Sequence, residues 1–446
     1  MMLKSTGDAR LVGVYNGPAE RSIQASTELM VEADVNEFRD GWKTLVASFA
    51  GLAFGVATLA VSYTIGTFIE PLRVEFGWTR AQILAAGGMV SVTVGLISLA
   101  VGWLTDRMNV RHLIIGSQAG FGLAFLLMAV GIRDLPTFYG LYLLMAILGA
   151  ATIAVPFAKL ITTEFVEYRG LALGLAMAGT GICGLLVPPY TAYIVENFGW
   201  RAGYVAIGLL PLTISLPLSI LFLRDRLAES TRSADPDQAS RLAGSDNDIA
   251  LPTAIRGYRF WVLFAVFFAG SSVMTALLTN FIPILGDRGY PPTQAAAMAG
   301  SFGLAVIAGR VVVGFLIDRI WAPLVGCVLF LVASAAIAVL GAIDLGTTGL
   351  VILIVVTGLA AGAEVDLMGY LVARYFGLRN FGMIYAGIYV GFALGPGLTT
   401  PLFGAGRDAL GSYVPGLYVA AVALAGAALL LPTLGRYPQR VDLTRL

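Results

Sequence analysis

Three charged residues lie deep inside long apolar stretches of this sequence: Arg310, Glu364 and Asp366. A charge at the centre of a bilayer costs roughly 2.5–3.5 kcal/mol on insertion scales, so such residues face the protein interior and find partners there. A guanidinium group binds a carboxylate through two parallel hydrogen bonds, and burial favours the neutral form of a carboxyl group. These residue types therefore indicate a site that binds an organic anion and carries a proton.

The spacing of the two acidic residues limits how they can act. Glu364 and Asp366 are two positions apart, so on a helix they point about 200° apart and cannot both face Arg310. We expect one of them to pair with Arg310 when no substrate is bound, and the other to face a neighbouring helix or the cavity. Protonation of the paired carboxylate would then free Arg310 for a substrate carboxylate. A permanent structural ion pair is the alternative.

The composition indicates what surrounds these charges. Of the 446 residues, 58% are apolar and only 12% are charged, whereas soluble domains carry about 25% charged residues. Apolar stretches of roughly 20 residues can each cross a lipid bilayer about 30 Å thick, and in lipid their backbone must be helical. The sequence therefore predicts an all-α membrane protein with twelve transmembrane spans, numbered here in chain order. They lie at about 44–69, 80–104, 113–132, 137–161, 169–194, 201–223, 258–285, 292–317, 323–343, 347–373, 380–404 and 413–433.

One long polar segment divides these spans into two groups of six. If both termini lie in the cytosol, 21 of the 28 Lys and Arg residues fall in cytosolic segments and 6 fall in outer loops. That bias follows the positive-inside rule and predicts this orientation. The predicted organisation is a flexible cytosolic tail (1–42), an N-terminal six-helix bundle (43–223), a cytosolic linker (224–257), a C-terminal six-helix bundle (258–433) and a cytosolic tail (434–446).

The three buried charges are predicted to lie at a similar depth in the membrane. From the rise of a helix, Arg310 and Asp366 lie about 12 Å, and Glu364 about 15 Å, from the cytosolic ends of spans 8 and 10. Transporters bind substrate at this depth, and Glu364 is the favoured proton site because it lies nearer the midplane. Four polar residues in apolar spans could hydrogen-bond the substrate or, alternatively, a neighbouring helix: Tyr63, Asn280, Tyr385 and Tyr389.

A six-residue motif recurs at the ends of spans 2 and 8. The letters GWLTDR occupy 102–107 and GFLIDR occupy 314–319, the same place in each half. Charges at helix ends can pair and can bind helix termini, so we expect these residues to hold the two bundles in one state. Anchoring by positive charge alone explains the arginines but not the repeated aspartates. The predicted cytosolic gate consists of Asp106, Arg107, Arg111, Asp318 and Arg319.

The repeated motif resembles the loop signature of the major facilitator superfamily, and the resemblance covers residues 40 to 435. It implies two six-helix bundles that expose a central site alternately to each side. Within that superfamily the chain resembles the monocarboxylate porter and oxalate/formate antiporter branch. The likeness rests on RDGW at 39–42, FGWTR at 76–80, RGLALG at 169–174 and GR at 309–310. The resemblance implies that Arg310 binds a substrate carboxylate.

Departures from the branch pattern narrow the expected substrate. Val306 stands where many animal monocarboxylate porters have an aspartate, and span 11 lacks the lysine of oxalate carriers. A single cationic anchor indicates one carboxylate. Cys183 and Gly184 replace an expected glycine and proline, which leaves antiport without support. We therefore expect a small organic anion, a monocarboxylate, moved by proton symport across a bacterial inner membrane.

Other chemistries lack the residues that they need. The chain has one histidine and two cysteines far apart in sequence, so we expect no disulfide framework and no metal site. No catalytic triad or glycine-rich phosphate loop occurs, so we expect no enzyme and no cofactor. The net charge of +1 gives no nucleic-acid footprint. Lys159 is expected to extend its amine to the membrane surface. The alternative function is a proton-driven exporter of amphipathic organic compounds or drugs, which would not need Arg310.

Overall fold

The computed structural model describes residues 37–62, 64–224, 251–343 and 345–438. All regular structure within these ranges is helical, and no strand occurs among them. The membrane-crossing helices form two bundles of six, which confirms the predicted all-α class and the twelve spans. Tyr63 and most of the predicted linker, 225–250, lie outside the described residues.

The first bundle contains two interrupted spans. Span 1 continues from its main helix into a π-helical turn and is followed by a short helix. Span 4 is broken at mid-length by a short 3-10 turn. Span 1 is Glu37–Leu59 with the turn Ala57–Ser62, and the short helix Ile65–Phe76 follows it. Spans 2 and 3 are Arg80–Arg107 and Val110–Gly131, and span 4 consists of Leu135–Leu148 and Ala154–Glu164 on either side of the turn Ala150–Thr152. Spans 5 and 6 are formed by Arg169–Leu210, the turn Pro211–Ser215 and Leu216–Phe222.

The second bundle has six long helices, one for each predicted span. A short helix, Leu251–Arg256, precedes them inside the segment that was predicted as linker. Their ends agree with the predicted spans to within a few residues, apart from a longer C-terminal end of span 11. The six helices are Tyr258–Asp287, Pro292–Arg319, Ala322–Ala342, Gly346–Phe376, Phe381–Leu410 and Val414–Leu430.

Length and hydropathy alone identify ten helices in the described residues as able to cross a membrane. Two features of the backbone account for the difference from twelve. The broken span 4 leaves only short pieces, Leu135–Leu148 and Ala154–Glu164. Spans 5 and 6 run together without a loop, but Gly199 interrupts the helix with φ 82° and ψ 167°. Glycine tolerates this left-handed φ because it has no Cβ.

Local sequence signals set where the helices begin. Span 2 starts with a capping box, in which the Thr79 hydroxyl accepts from the Gln82 amide and the Gln82 side chain accepts from the Thr79 amide. Span 4 starts at Asp134, whose carboxylate accepts from the amide of Thr137 at 2.8 Å. Such caps satisfy amides that the first turn of a helix leaves without partners.

Glycine contacts bring the two bundles together at two helix crossings. Span 5 crosses span 8, where a Cβ at Gly170 or Gly174 would collide with the backbone of Gly314 or Arg310. Span 2 crosses span 11 in the same manner, since a Cβ at Gly102 would collide with span 11. Small residues allow membrane helices to approach this closely. The crossings fix span 8, and with it Arg310, against the first bundle.

Candidate functional site

Arg310 pairs with Asp366 across spans 8 and 10. Nη1 of Arg310 lies 3.3 Å from Oδ1 of Asp366, and their side chains are 10% and 0% exposed. Oδ2 of Asp366 and Nε of Arg310 have no hydrogen-bond partner in the described structure. Asp366 is therefore the acid that pairs with Arg310. The pair is buried, but it leaves hydrogen-bonding capacity on both side chains.

Glu364 faces the other side of span 10. Its carboxylate points at Gly270 of span 7, where an added Cβ would lie 2.7 Å from Oε1, close to the ring of Phe330 on span 9. The side chain is 3% exposed, and Oε1 has no hydrogen-bond partner among the described residues. This matches the expectation that two acids about 200° apart on a helix serve different neighbours. Glu364 interacts electrostatically with Arg310 but, among the described residues, makes no hydrogen bond to it.

The two tyrosines of span 11 lie beside the ion pair. Tyr385 is fully buried and interacts electrostatically with Asp366 and Arg310. Its ring lies against Gly369 of span 10, and its hydroxyl has no partner in the part of the chain described here. Tyr389 stacks on Tyr385 with ring centroids 6.3 Å apart. The structure thus brings both tyrosines to the site predicted for them.

Asn280 is not brought to this site by any contact in the structure. Its side-chain amide donates to the carbonyl of Ala276 at 2.8 Å and to the hydroxyl of Thr279 at 3.1 Å, both within span 7. These contacts satisfy the amide within its own helix, so they match neither the substrate contact nor the contact with a neighbouring helix that the sequence left open. Tyr63 lies outside the described residues.

Two aspartates join the bundles at the end where spans 2 and 8 finish, called here the aspartate end. Asp106 of span 2 accepts hydrogen bonds from the amides of Gly382 and Met383, at 2.9 and 2.8 Å, in the first turn of span 11. Asp318 of span 8 accepts from the amides of Gly170 and Leu171, at 2.7 and 2.9 Å, in the first turn of span 5. Each carboxylate therefore binds the positive end of a helix in the opposite bundle.

A repeated pattern of helices thus builds the aspartate end. Asp106 of span 2 binds the start of span 11, and Asp318 of span 8 binds the start of span 5. The two contacts are equivalent, because spans 2 and 8, and likewise spans 5 and 11, are corresponding spans of the two halves. Residues 50–354 match the family model described as the Major Facilitator Superfamily. The chain belongs to the Major Facilitator Superfamily. It is therefore a secondary transporter.

Individual relatives of this superfamily chain transport organic compounds. A gallate transporter of Pseudomonas putida is 26% identical over 404 residues, covering 81% of this chain and 87% of the relative. A 3-(3-hydroxy-phenyl)propionate transporter of Escherichia coli K12 is 25% identical, covering 85% and 91%. Monocarboxylate transporter 13 of Rattus norvegicus is 23% identical and covers 88% of each chain.

Solved structures support the superfamily fold. The proton:xylose symporter XylE, bound to 6-bromo-6-deoxy-D-glucose, superposes with a TM-score of 0.70 at 14% identity, covering 89% of this chain and 95% of that one. FucP in the outward conformation gives a TM-score of 0.67 at 14% identity, covering 88% and 98%. At this level of identity the likeness concerns the fold alone.

The arginines of the superfamily motif contact their own bundles. Arg107 lies 4.5 Å from the ring centre of Trp103, and Arg319 lies 3.6 Å from that of Phe315, each one turn earlier in the same helix. Arg111 donates to the carbonyl of Ile220 at 2.6 Å, from span 3 to span 6. In these contacts the aspartates, and not the arginines, connect the two bundles.

The interpretation of Lys159 as a surface residue is wrong. Its side chain is buried, and Nζ donates to the carbonyl of Thr105 at 2.7 Å and to Oδ1 of Asp106 at 2.9 Å. The amine turns inward because the carboxylate of Asp106 and the carbonyl of Thr105 offer it charge-assisted hydrogen bonds. Lys159 thereby supports the aspartate that binds span 11.

Sequence reasoning also missed the cations that accompany Asp318. Arg169 and Arg374 both attract its carboxylate electrostatically. Arg169 is almost fully buried and donates to the carbonyls of Phe165 and Thr162 at 3.1 and 2.8 Å. The internal repeat could have predicted a cation near each aspartate, because Lys159 in span 4 and Arg374 in span 10 lie in corresponding spans of the two halves.

Proposed function

We propose that this superfamily member carries a small organic anion, a monocarboxylate, together with a proton by alternating access. The observation that carries the proposal is the Arg310–Asp366 pair, which is buried and joined by a single 3.3 Å contact. An ion pair that served stability alone would use its remaining donors and acceptors, because unsatisfied buried polar atoms are costly. This pair keeps them available for a third group.

The proposed binding step exchanges one partner of Arg310 for another. A proton adds to Asp366, which becomes neutral and releases the guanidinium group. The substrate carboxylate then binds Arg310 through two parallel hydrogen bonds. The charge of the site is zero before the exchange, with Arg310 positive and Asp366 negative, and zero after it. A neutral site leaves no uncompensated charge in the bilayer interior while the bundles change which side the site opens to.

The geometry supports Asp366, rather than Glu364, as the acid that exchanges its proton with substrate binding. Asp366 contacts the guanidinium group that must be released, whereas Glu364 faces Gly270. The proposed proton site is thus Asp366 and not Glu364, which its depth in the membrane had favoured. Glu364 then serves as a second buried acid in the packing of spans 7, 9 and 10.

We further propose that the aspartate end is the cytosolic gate of a bacterial inner-membrane protein with both termini in the cytosol. The distribution of Lys and Arg supports this orientation. Four amide hydrogen bonds to Asp106 and Asp318 cross between the bundles there, and opening toward the cytosol must break them. The relatives named for gallate, for hydroxyphenylpropionate and for monocarboxylates all carry carboxylic acids, which supports the substrate class.

Uptake of labelled monocarboxylates into proteoliposomes, with and without an inward proton gradient, tests the proposal. Wild-type protein should accumulate at least one anion only when the gradient is present. Arg310→Ala should abolish both uptake and exchange, whereas Asp366→Asn, which resembles the protonated acid, should keep exchange of the anion but lose its accumulation. Arg133→Ala, an exposed arginine outside the spans, is the matched control and should behave as wild type.

The contrary result is equally defined. Uptake that ignores both the proton gradient and Arg310 contradicts the proposal. Such a result favours the alternative function, an exporter of amphipathic organic compounds, because an uncharged apolar substrate needs no cationic anchor.

A further inference from the structure

Three aromatic residues of span 11 form a continuous stack, called here the ring ladder: Tyr385, Tyr389 and Phe392. Their spacing of four and three residues places them on one face of the helix. Ring centroids are 6.3 Å apart in the first pair and 5.6 Å apart in the second, with planes inclined by 23° and 25°. From Tyr385 to Phe392 the ladder extends about 10 Å along the helix.

The Tyr385 end of the ring ladder lies close to the first bundle. On the opposite face of span 11, Gly387 and Gly391 pack against the phenylalanine rings of span 7. The ring of Tyr385, in contrast, lies beside Gly369 of span 10, next to Ala158 of span 4 in the first bundle. Tyr385 therefore lies on the face of span 11 opposite to its packing on span 7, where span 10 meets the first bundle.

The ring ladder begins beside the charges of Arg310 and Asp366 and ends in the apolar ring of Phe392. Tyr385 is fully buried, its hydroxyl has no partner among the described residues, and it interacts with Arg310 and Asp366. Buried tyrosine hydroxyls normally find a hydrogen-bond partner. Tyr389 is 8% exposed and Phe392 is half-buried, so the rings above become progressively more accessible. The surface thus offers a cation and a phenol at one end and flat rings at the other.

We infer that the ring ladder binds the ring of the substrate, and that the transported anions are aromatic monocarboxylates. This inference rests on the proposed function, because it needs a carboxylate on Arg310. The carboxylate lies at the foot of the ladder, where the hydroxyl of Tyr385 donates to it, and the aromatic ring stacks against Tyr389 and Phe392. The 10 Å length of the ladder suits an acid with a single ring and a short side chain.

Paired substrates separate ring stacking from mere hydrophobic fit. Labelled benzoate and 3-phenylpropionate are compared with cyclohexanecarboxylate and 3-cyclohexylpropionate, which have similar bulk and the same charge but no π-system. In wild-type proteoliposomes under a proton gradient, KM for the aromatic acid should be about two- to twelve-fold lower than for its saturated counterpart. Tyr389→Leu and Phe392→Leu should reduce this ratio toward one, while Tyr389→Phe, which keeps the ring, should preserve it.

The control is Phe403→Leu, which removes a ring from the same helix. Phe403 stacks on Tyr413 and lies against Gly416, so it belongs to the packing on span 12 and should leave the ratio unchanged. A ratio of KM values does not depend on how much folded protein each variant yields. Lower expression alone therefore cannot imitate the expected result.

The outcomes distinguish this inference from the function on which it rests. Uptake that depends on Arg310 but shows equal KM values for aromatic and saturated acids overturns the ring ladder and leaves the proposed function intact. A preference for aromatic acids that survives both leucine variants also overturns it. Uptake of aromatic compounds that does not depend on Arg310 contradicts the proposed function, and the inference falls with it.

Discussion

Arg310 and Asp366 make fewer contacts than two buried charges require. Removing a pair of ions from water costs several kcal/mol per ion, and only good geometry with further hydrogen bonds offsets that cost. Here one contact of 3.3 Å joins the pair, and an oxygen of Asp366 and a nitrogen of Arg310 stay without partners in the described structure. Hydrogen bonds from a bound substrate could therefore supply the stabilisation that this incomplete network lacks.

Substitution of the second acid tests which carboxylate carries the proton. We expect Glu364→Gln to retain proton-driven uptake to within about two-fold, because the guanidinium group of Arg310 hydrogen-bonds Asp366, whereas the carboxylate of Glu364 lies against Gly270. Glutamine keeps the shape of the protonated acid in a space that admits no larger group. The measurement is uptake of the transported anion at several proton gradients, with Asp366→Asn tested in parallel.

A reversed result would reassign the proton site. If Glu364→Gln abolishes coupling while Asp366→Asn keeps it, Glu364 carries the proton, as its depth in the membrane first indicated. If both variants abolish coupling, the two acids act together.

The sequence predicted these residues better than it predicted their directions. A charged residue within an apolar stretch can be recognised in the sequence, so Arg310, Glu364 and Asp366 could be found without a structure. Which acid faces Arg310 depends on the rotation of span 10 about its axis. That rotation depends on contacts with other helices, such as the space at Gly270, and these contacts join residues far apart in the chain.

At the scale of helices, the interrupted spans 1 and 4 meet at their interruptions. The hydroxyl of Thr152 donates to the carbonyl of Gly149 at 2.7 Å and accepts from the amide of Val56 in span 1 at 2.8 Å. A break in a membrane helix leaves backbone groups without their usual partners, and lipid offers none. Thr152 therefore satisfies groups on both broken helices.

Replacing this hydroxyl by a methyl group should destabilise the first bundle. We expect Thr152→Val, which has nearly the same shape, to lower the free energy of unfolding by about 1–3 kcal/mol, because the amide of Val56 loses its partner in an apolar environment. Thermal unfolding in detergent measures the change. Thr163→Val is the control, since within the described residues the hydroxyl of Thr163 bonds only to the carbonyl of Leu160 in its own helix. Equal effects of the two substitutions would contradict the bridging role.

Hydropathy located the spans but gave no sign of these breaks. Predicted and observed bounds agree closely for span 9, at 323–343 and Ala322–Ala342, because the length of an apolar run is set by the thickness of the bilayer. The break in span 4 depends on which backbone groups find partners. The residues around it, Gly149 to Ile153, are as apolar as those of an unbroken helix, apart from one threonine.

At the scale of the whole molecule, the two aspartates hold the bundles together through equivalent contacts. A charge-assisted hydrogen bond contributes about 1.5–3 kcal/mol, and each aspartate accepts two from the opposite bundle. The contacts at Asp106 and Asp318 share no residue, so losses at the two places should add. The conformation closed at the aspartate end is thus stabilised twice, once by each half of the repeat.

Weakening either contact should raise the fraction of molecules open at the aspartate end. Asparagine can accept only through one oxygen, and its amide group repels the helix amides that the carboxylate attracted. The reporter is Leu173→Cys, placed in a background with Cys183→Ser and Cys327→Ser. Leu173 is fully buried and lies beside Gly369 of the opposite bundle, so a maleimide can reach it only when the bundles separate there.

We expect Asp106→Asn or Asp318→Asn to increase the maleimide labelling rate by about tenfold, since a loss of 1.4 kcal/mol changes an equilibrium by that factor. The double variant should increase it further. Asp287→Asn is the control, because Asp287 pairs with Arg407 within one bundle, at the surface, where such a pair contributes little. Unchanged labelling in both single variants would mean that the glycine crossings alone keep this end closed, and the aspartates would then have no part in gating.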